Sequence, residues 1–346
     1  MSLILFNVAM AVVTITAIWS ARRGRPAVCL LAKFSVAAAA LLLAAGLTDE
    51  AFAAMRCLAY GWFGFLAATC AACGVILWRS HRRWAAGCFA CFALLEGVAI
   101  DGFWIEPHWL EVTRVKISTP KLSRPLKVAL LADLQTDEIG EYERSVMERI
   151  VAEQPDLVLL AGDYVQDWNE RRRRRLQQEL RELLNDCGLS APLGVYAVRG
   201  NVDGGDWESC FTDTEVIVVG RTRSFDAGEL TITCLSMRDS FSPRLSVPAG
   251  DRFQIVLGHC PNFALGDVRG DLLLAGHCHG GQVRLPGIGP LITHSRVPRS
   301  WAAGITELGA GRMLIVSRGI GMERGVAPPL RFWCRPELVF IELAPG

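Results

Sequence analysis

The sequence predicts an α/β domain of two packed sheets flanked by helices, preceded by a bundle of four transmembrane helices. Three observations carry this. Charge is divided unevenly: of 36 Lys+Arg and 35 Asp+Glu, residues 1–110 hold only 8 and 5. Beyond residue 126, short apolar runs alternate with helical stretches and then follow one another as strands. Several of those runs stop at residues able to bind a metal. The organisation read from this is a membrane region over 1–110, a linker over 111–125 and a folded domain over 126–346. A net charge of +1 gives no global argument for nucleic-acid binding. The composition also excludes a disordered chain, a collagen-like repeat and a small disulfide scaffold.

Four apolar stretches, at about 3–19, 27–47, 57–78 and 84–105, fit the ~17–25 residues that a helix needs to cross a bilayer. Arg22, Arg23 and Arg25 follow the first, and Arg79, Arg82 and Arg83 follow the third. By the positive-inside rule these connectors are cytoplasmic, which puts the folded domain on the extracytoplasmic side. Arg114, Lys116, Lys121 and Arg124 pull the other way. The start, Met1-Ser2-Leu3-Ile4, lacks the basic residues of a secretory signal, so the first stretch reads as a retained anchor. Cys70-x-x-Cys73 and Cys88-x-x-Cys91 lie on these helices and read as packing positions.

In the folded domain, strands are expected at Val128–Leu131, Leu157–Leu160, Val195–Val198, Val216–Val219, Leu230–Leu235, Gln254–Leu257, Leu272–Leu274, Met313–Val316 and Leu338–Ile341. A helix carrying Val146, Ile150 and Val151 on one face follows the first. A charged helix over 169–186 contains the run Arg171 to Arg175, whose default reading beside Glu170, Glu179 and Glu182 is a solvated face.

Five strands stop at potential ligands: Asp133, Asp163, Asn201, His259 and His277, with His279 two residues on. Loops at strand carboxyl ends are where α/β folds assemble sites. Carboxylate, amide oxygen and imidazole together suit Mn²⁺, Fe or Zn²⁺ rather than Ca²⁺. Gly-Asp and Gly-Asn alone are common turn dipeptides. The series as a whole is not accounted for by turns.

The blocks Gly162-Asp163, Gly200-Asn201-Val202-Asp203, Gly258-His259 and Ala275-Gly276-His277-Cys278-His279-Gly280-Gly281-Gln282 resemble, in order, the motifs of the calcineurin-like metallophosphoesterases. The ending Arg331-Phe332-Trp333-Cys334-Arg335-Pro336 is similar to the tail of their membrane-anchored bacterial branch, some of whose members hydrolyse UDP-2,3-diacylglucosamine. The resemblance implies a four-layer α-β-β-α sandwich and two divalent ions, Mn, Fe or Zn. It implies Asp133, Asp163 and His279 on one ion and Asp163, Asn201, His259 and His277 on the other. A hydroxide shared between such ions attacks phosphorus at neutral pH.

Two positions depart from the pattern. Gln135 stands where the family has the histidine of D-x-H, and its amide oxygen is a weaker ligand than imidazole. Val202 replaces the histidine of G-N-H-D that helps protonate the leaving group. Asp203 and His294 are then the candidates for the remaining catalytic roles, and Arg318 and Arg324 for contact with a phosphate. The expected substrate is a phosphate-containing small molecule or lipid met at the membrane, with no nucleic acid. The rival from another class is a degenerate domain used for binding or sensing, for which Gln135 and Val202 speak.

Overall fold

The computed structural model describes residues 3–23, 51–325 and 327–346. The chain forms two compact units, one of Met1–Ile105 with Arg324–Pro329 and one of Glu106–Glu323 with Leu330–Gly346.

In the first unit, α1 (Leu3–Arg22) packs against a long helix made of α2 (Ala51–Ala59), a π-helical stretch over Tyr60–Leu66, and α3 (Ala67–Leu77). Phe6 meets Phe65 edge to face, and the Thr69 hydroxyl donates to Thr14 Oγ1 at 3.1 Å. Helix α4 (Arg82–Ile100) returns alongside, with Cys73, Leu77 and Ala85 in one buried cluster, so Cys73 does pack as expected. Among the described residues, two of the four expected spans emerge. Phe52–Leu77 and Arg82–His108 are long and apolar enough to cross a membrane, whereas Phe6–Arg22 is a shorter apolar helix. The stretch expected at 27–47 lies outside the described residues. Length decides between them: 26 residues of helix reach about 39 Å at 1.5 Å per residue.

The second unit runs through β1 (Glu111–Thr119), β2 (Leu126–Leu131), α5 (Glu141–Ala152), β3 (Leu157–Leu160), α6 (Glu170–Asp186), β4 (Val195–Val198) and β5 (Val216–Val219). It continues with β6 (Arg223–Ala227), β7 (Leu230–Cys234), a short helix α7 (Met237–Ser240), β8 (Phe253–Leu257), β9 (Leu272–Ala275), β10 (Gly304–Gly309), β11 (Arg312–Val316) and β12 (Glu337–Pro345). The first sheet has the order β1-β12-β2-β3-β4-β5, and the second β10-β11-β9-β8-β7-β6. Strand β12 is parallel to β1 and antiparallel to β2, lying between them.

This corrects the expected linker over 111–125. Val115, Ile117 and Thr119 alternate inward along β1 while Arg114 and Lys116 face out. The period of two was present, but its charged outer face read as a connector. The expected strands also omit β6 and β10, whose polar residues and glycines mask them.

Both faces of the first sheet are buried, so β3 is apolar throughout. Val128, Leu130, Leu157 and Leu159 face Ile255, Leu257 and Leu272 of the second sheet, each such side chain contributing about 1.5–3 kcal/mol. Ala129, Leu131, Val158 and Leu160 face Val146 and Ile150 of α5 and Leu180 and Leu184 of α6. The Asn169 side chain caps α6 by accepting from the N–H groups of Arg171 and Arg172. Its arginines form the solvated face expected, with Arg174 on Glu170 and Arg175 on Glu179. The outer face of the second sheet differs from the expected helical layer. Val256, Leu273 and Leu314 are covered by Phe263 and Ala302, which sit on or beside single turns of 3₁₀ helix. The architecture is thus a mixed α/β sandwich with full helices on one side.

Candidate metal centre

Parallel strands β2, β3 and β4 of the first sheet end just before Asp133, Asp163 and Asn201. Parallel strands β8 and β9 of the second end before His259 and before His277 and His279. Seven non-glycine residues of this region have positive φ: Asp133, Gln135, Asp163, His277, His279, Gln282 and His294. Such conformations cost ~1–3 kcal/mol each and persist where the surroundings over-determine them.

The surroundings do so through main-chain bonds. Asp133 N–H donates to Gly162 O (3.1 Å), and Gln135 N–H to Asp163 O (2.8 Å). Across the seam between sheets, His277 N–H donates to both oxygens of Asp133 at 2.9 Å. Gly200 is required by close approach: a Cβ there would lie 2.1 Å from Asp163 Oδ1. Gly276 plays the same part beside Asp133, where a Cβ would lie 2.6 Å from Oδ2.

Asp163, His259 and His277 each offer a ligand atom, all within 4.8 Å of one another. His259 Nδ1–H donates to the Ala161 carbonyl at 2.8 Å, which leaves Nε2 as the ligand atom. That nitrogen lies 2.9 Å from Asn201 Oδ1 and 3.2 Å from Asp163 Oδ2. His277 Nε2–H donates to the His294 carbonyl at 3.1 Å, leaving Nδ1. Among the described residues, the buried Nδ1 of His279 has no hydrogen-bond partner. Lone pairs of an imidazole, an amide and a carboxylate converge in a water-poor seam, and only a proton or a cation reconciles them. The donor set therefore fits metal ions.

The electrostatics agree. Burial pushes the Asp133 carboxyl up to about 7, with His259 opposing and Asp163 adding to the rise. Burial alone lowers the His259 imidazole, but Asp163 and Asp133 outweigh it and raise it to about 9. Asp163, although buried, is held below its usual value by His259 and the Val202 N–H. His277 is driven down to about 4 by burial and by His259.

Asp203 is placed differently. One oxygen accepts from the N–H groups of Asp163 (2.9 Å) and Gly200 (2.8 Å), and the other from Tyr164 (2.8 Å). It ties the two ligand loops together through their backbone. His294 meets His277 through its carbonyl; the residue is exposed, and partial burial of its imidazole lowers it below the usual value. Arg318 is bound to Glu337 and Glu111.

Three neighbours escape sequence reasoning. Arg331 is completely buried and donates to the carbonyls of Arg318, Gly319, Gly321 and Cys334, bracing a loop whose Gly321 N–H reaches Asp133 O. Glu323 and Gln166 both bond the Gln135 side chain. A separation of 188 residues between Gln135 and Glu323 leaves no local signal.

Residues 126–285 match the family model described as calcineurin-like phosphoesterase. Over these residues the chain is similar to the calcineurin-like phosphoesterases, which together with the Asp163, His259 and His277 cluster supports a metal-dependent phosphoester hydrolase. It is 28% identical over 234 residues to the uncharacterized metallophosphoesterase YkuE of Bacillus subtilis, covering 63% of this chain and 78% of that one. It is 28% identical over 245 residues to the phosphodiesterase YaeI of Escherichia coli, covering 63% and 82%. Among solved structures, a dimetal phosphatase from Danio rerio aligns with TM-score 0.35 and 13% identity, over 56% of this chain and 88% of that one.

Proposed function

We propose that this protein is a membrane-anchored phosphoesterase that hydrolyses phosphodiesters or pyrophosphates with good leaving groups, lipid-linked ones included. The observation that carries this is the convergence of Asp163, His259 and His277 within 4.8 Å, with His259 and His277 held in fixed tautomers by backbone carbonyls. Two divalent ions would be held here with Asp163 common to both, Asn201, His259 and His277 serving one and Asp133, Gln135 and His279 the other. Such ions supply an activated water and the positive charge that phosphoryl oxygens need.

The chain's own residues set the preference. Val202 offers no proton, and Asp203 has its oxygens committed to three backbone N–H groups. A substrate whose leaving group departs without protonation suits this arrangement, because a missing general acid costs ~10²–10⁴-fold with poor leaving groups. His294, placed beside His277, is the remaining side chain to donate a proton. The long apolar helices support anchoring in the inner membrane, and the Arg-rich connectors support an extracytoplasmic catalytic domain.

The test uses the full chain in detergent, reconstituted with Mn²⁺, Fe²⁺ or Zn²⁺. Elemental analysis should find two ions per chain, and an aryl phosphodiester should be cleaved until a chelator removes them. Protein that takes up none of these ions, or cleavage indifferent to chelation, overturns the reading.

A further inference from the structure

Gln135 stands where the family has an imidazole, and the structure shows what surrounds it instead. Its side chain is fully buried. The amide nitrogen donates to Glu323 Oε2 at 2.7 Å and to Gln166 Oε1 at 3.0 Å. The Gln166 amide nitrogen in turn donates to Glu323 Oε1 at 2.8 Å. A carboxylate only accepts, so both amide nitrogens must face Glu323. Flipping either amide would set oxygen against oxygen, which removes the usual ambiguity between amide O and N. The triangle therefore fixes the Gln135 amide plane, and its carbonyl oxygen occupies the corner away from Glu323.

Glu323 is itself held firmly. Its N–H donates to Gln282 Oε1 at 2.8 Å, and Gln282 belongs to the block that contains His277 and His279. Just before it, Ile320 and Gly321 donate to the carbonyl of Asp133 at 3.2 and 2.7 Å, and Arg331 braces the Gly319 and Gly321 carbonyls. An imidazole has one rigid ring; a glutamine has three rotatable bonds and must be oriented before it can serve as a fixed donor.

We propose that Glu323 is the positioning residue that converts Gln135 into a metal ligand, by anchoring its amide hydrogens and polarising its carbonyl oxygen toward the ion shared with Asp133 and His279. The inference rests on the reading of Gln135 as a ligand. Outer partners of metal ligands are worth ~10–100-fold in affinity.

The test is Mn²⁺ binding to the full chain in detergent, measured by equilibrium dialysis and elemental analysis, with thermal melting of the metal-free protein alongside. Glu323→Gln should weaken one of the two ions ~10–100-fold, leave the other within about twofold, and leave metal-free melting nearly unchanged. Gln135→His should bind both ions, and adding Glu323→Gln to it should then have no effect on affinity, because an imidazole needs no amide clamp. Unchanged affinities in Glu323→Gln, or equal weakening in both backgrounds, overturn the positioning role. If Glu323→Gln does not fold, Glu323→Asp is read by the same criteria. Failure of the underlying reading looks different: Gln135→Ala would then retain both ions at wild-type affinity.

Discussion

The two sheets divide the chemistry of the centre between them. In the proposed ligand set, the loops of the first would supply oxygen: Asp133, Asp163 and Asn201. The loops of the second would supply nitrogen: His259, His277 and His279. Neither set is oriented by its own sheet alone. His259 is fixed by the carbonyl of Ala161 from the first sheet, and Asp133 by the N–H of His277 from the second. One residue on each side is thus aimed by the opposite side's backbone. Rotation of His259 or Asp133 would break a bond across the seam, whereas His277 and Asp163 are held from their own sides, by the His294 carbonyl and the Val202 N–H.

Removing the bridging group should break this partnership most severely. Asp163→Ala is expected to abolish binding of both ions and reduce hydrolysis ~10⁴-fold or more, in the range seen when a nucleophile-activating group is lost. Metal analysis and turnover of an aryl phosphodiester check it, and retention of one tightly bound ion would show that the sheets act separately.

A subtler contrast comes from the two glycines. Gly200→Ala crowds Asp163, so it should weaken both ions; Gly276→Ala crowds Asp133 and should weaken one. Overpacking of this kind costs ~1–3 kcal/mol, which denaturant melts of the metal-free variants would register. Equal loss of both ions in the two variants would erase the distinction between the half-sites.

The smallest effect lies at the edge of the first sheet, far along the strands from the ligands. Glu153 pairs with Arg114 of β1 and Lys127 of β2, and these partners hold its carboxyl down to about 2 against some desolvation. A depressed carboxylate contributes stability above its unfolded value of 4.5, lost as pH falls toward 2. Glu153→Gln should therefore lower the melting temperature of metal-free protein slightly at pH 7, by under ~1 kcal/mol equivalent, and the gap to wild type should narrow below pH 4.5 and close only as pH falls through about 2. A gap that persists at low pH would assign the role to packing.

What could be read from the sequence follows from where the signal sits. Strands β2, β3, β4, β8 and β9 are short apolar runs ending in ligand residues, so chain order alone exposed them. Strand β1 was hidden because its outer face carries Arg114 and Lys116, and β10 because it is a short half-exposed run, polar at Thr306 and Glu307, with a glycine at each end. At the site, the resemblance named residues but not their posture. Asp203 reads as a catalytic group, and the structure adds that it grips three backbone N–H groups; His294 reads as an acid, and the structure adds that its carbonyl, not its imidazole, meets His277. Posture depends on partners far apart in sequence, which no spacing records.

The place of β12 bears on how the molecule is made. This strand separates β1 from β2, yet it is translated after all the other strands. Roughly 200 residues intervene between the end of β2 and its start, so about 10–40 s of synthesis passes at ~5–20 residues per second before the first sheet can close. During that interval β1 has no neighbour and the β2 edge is open. The Asp133 loop also still lacks the stretch around Gly319 and Gly321 that later packs on it. Every proposed ligand residue is therefore made before the first sheet can close, and the open edge of β2 is the surface that needs shielding in the meantime.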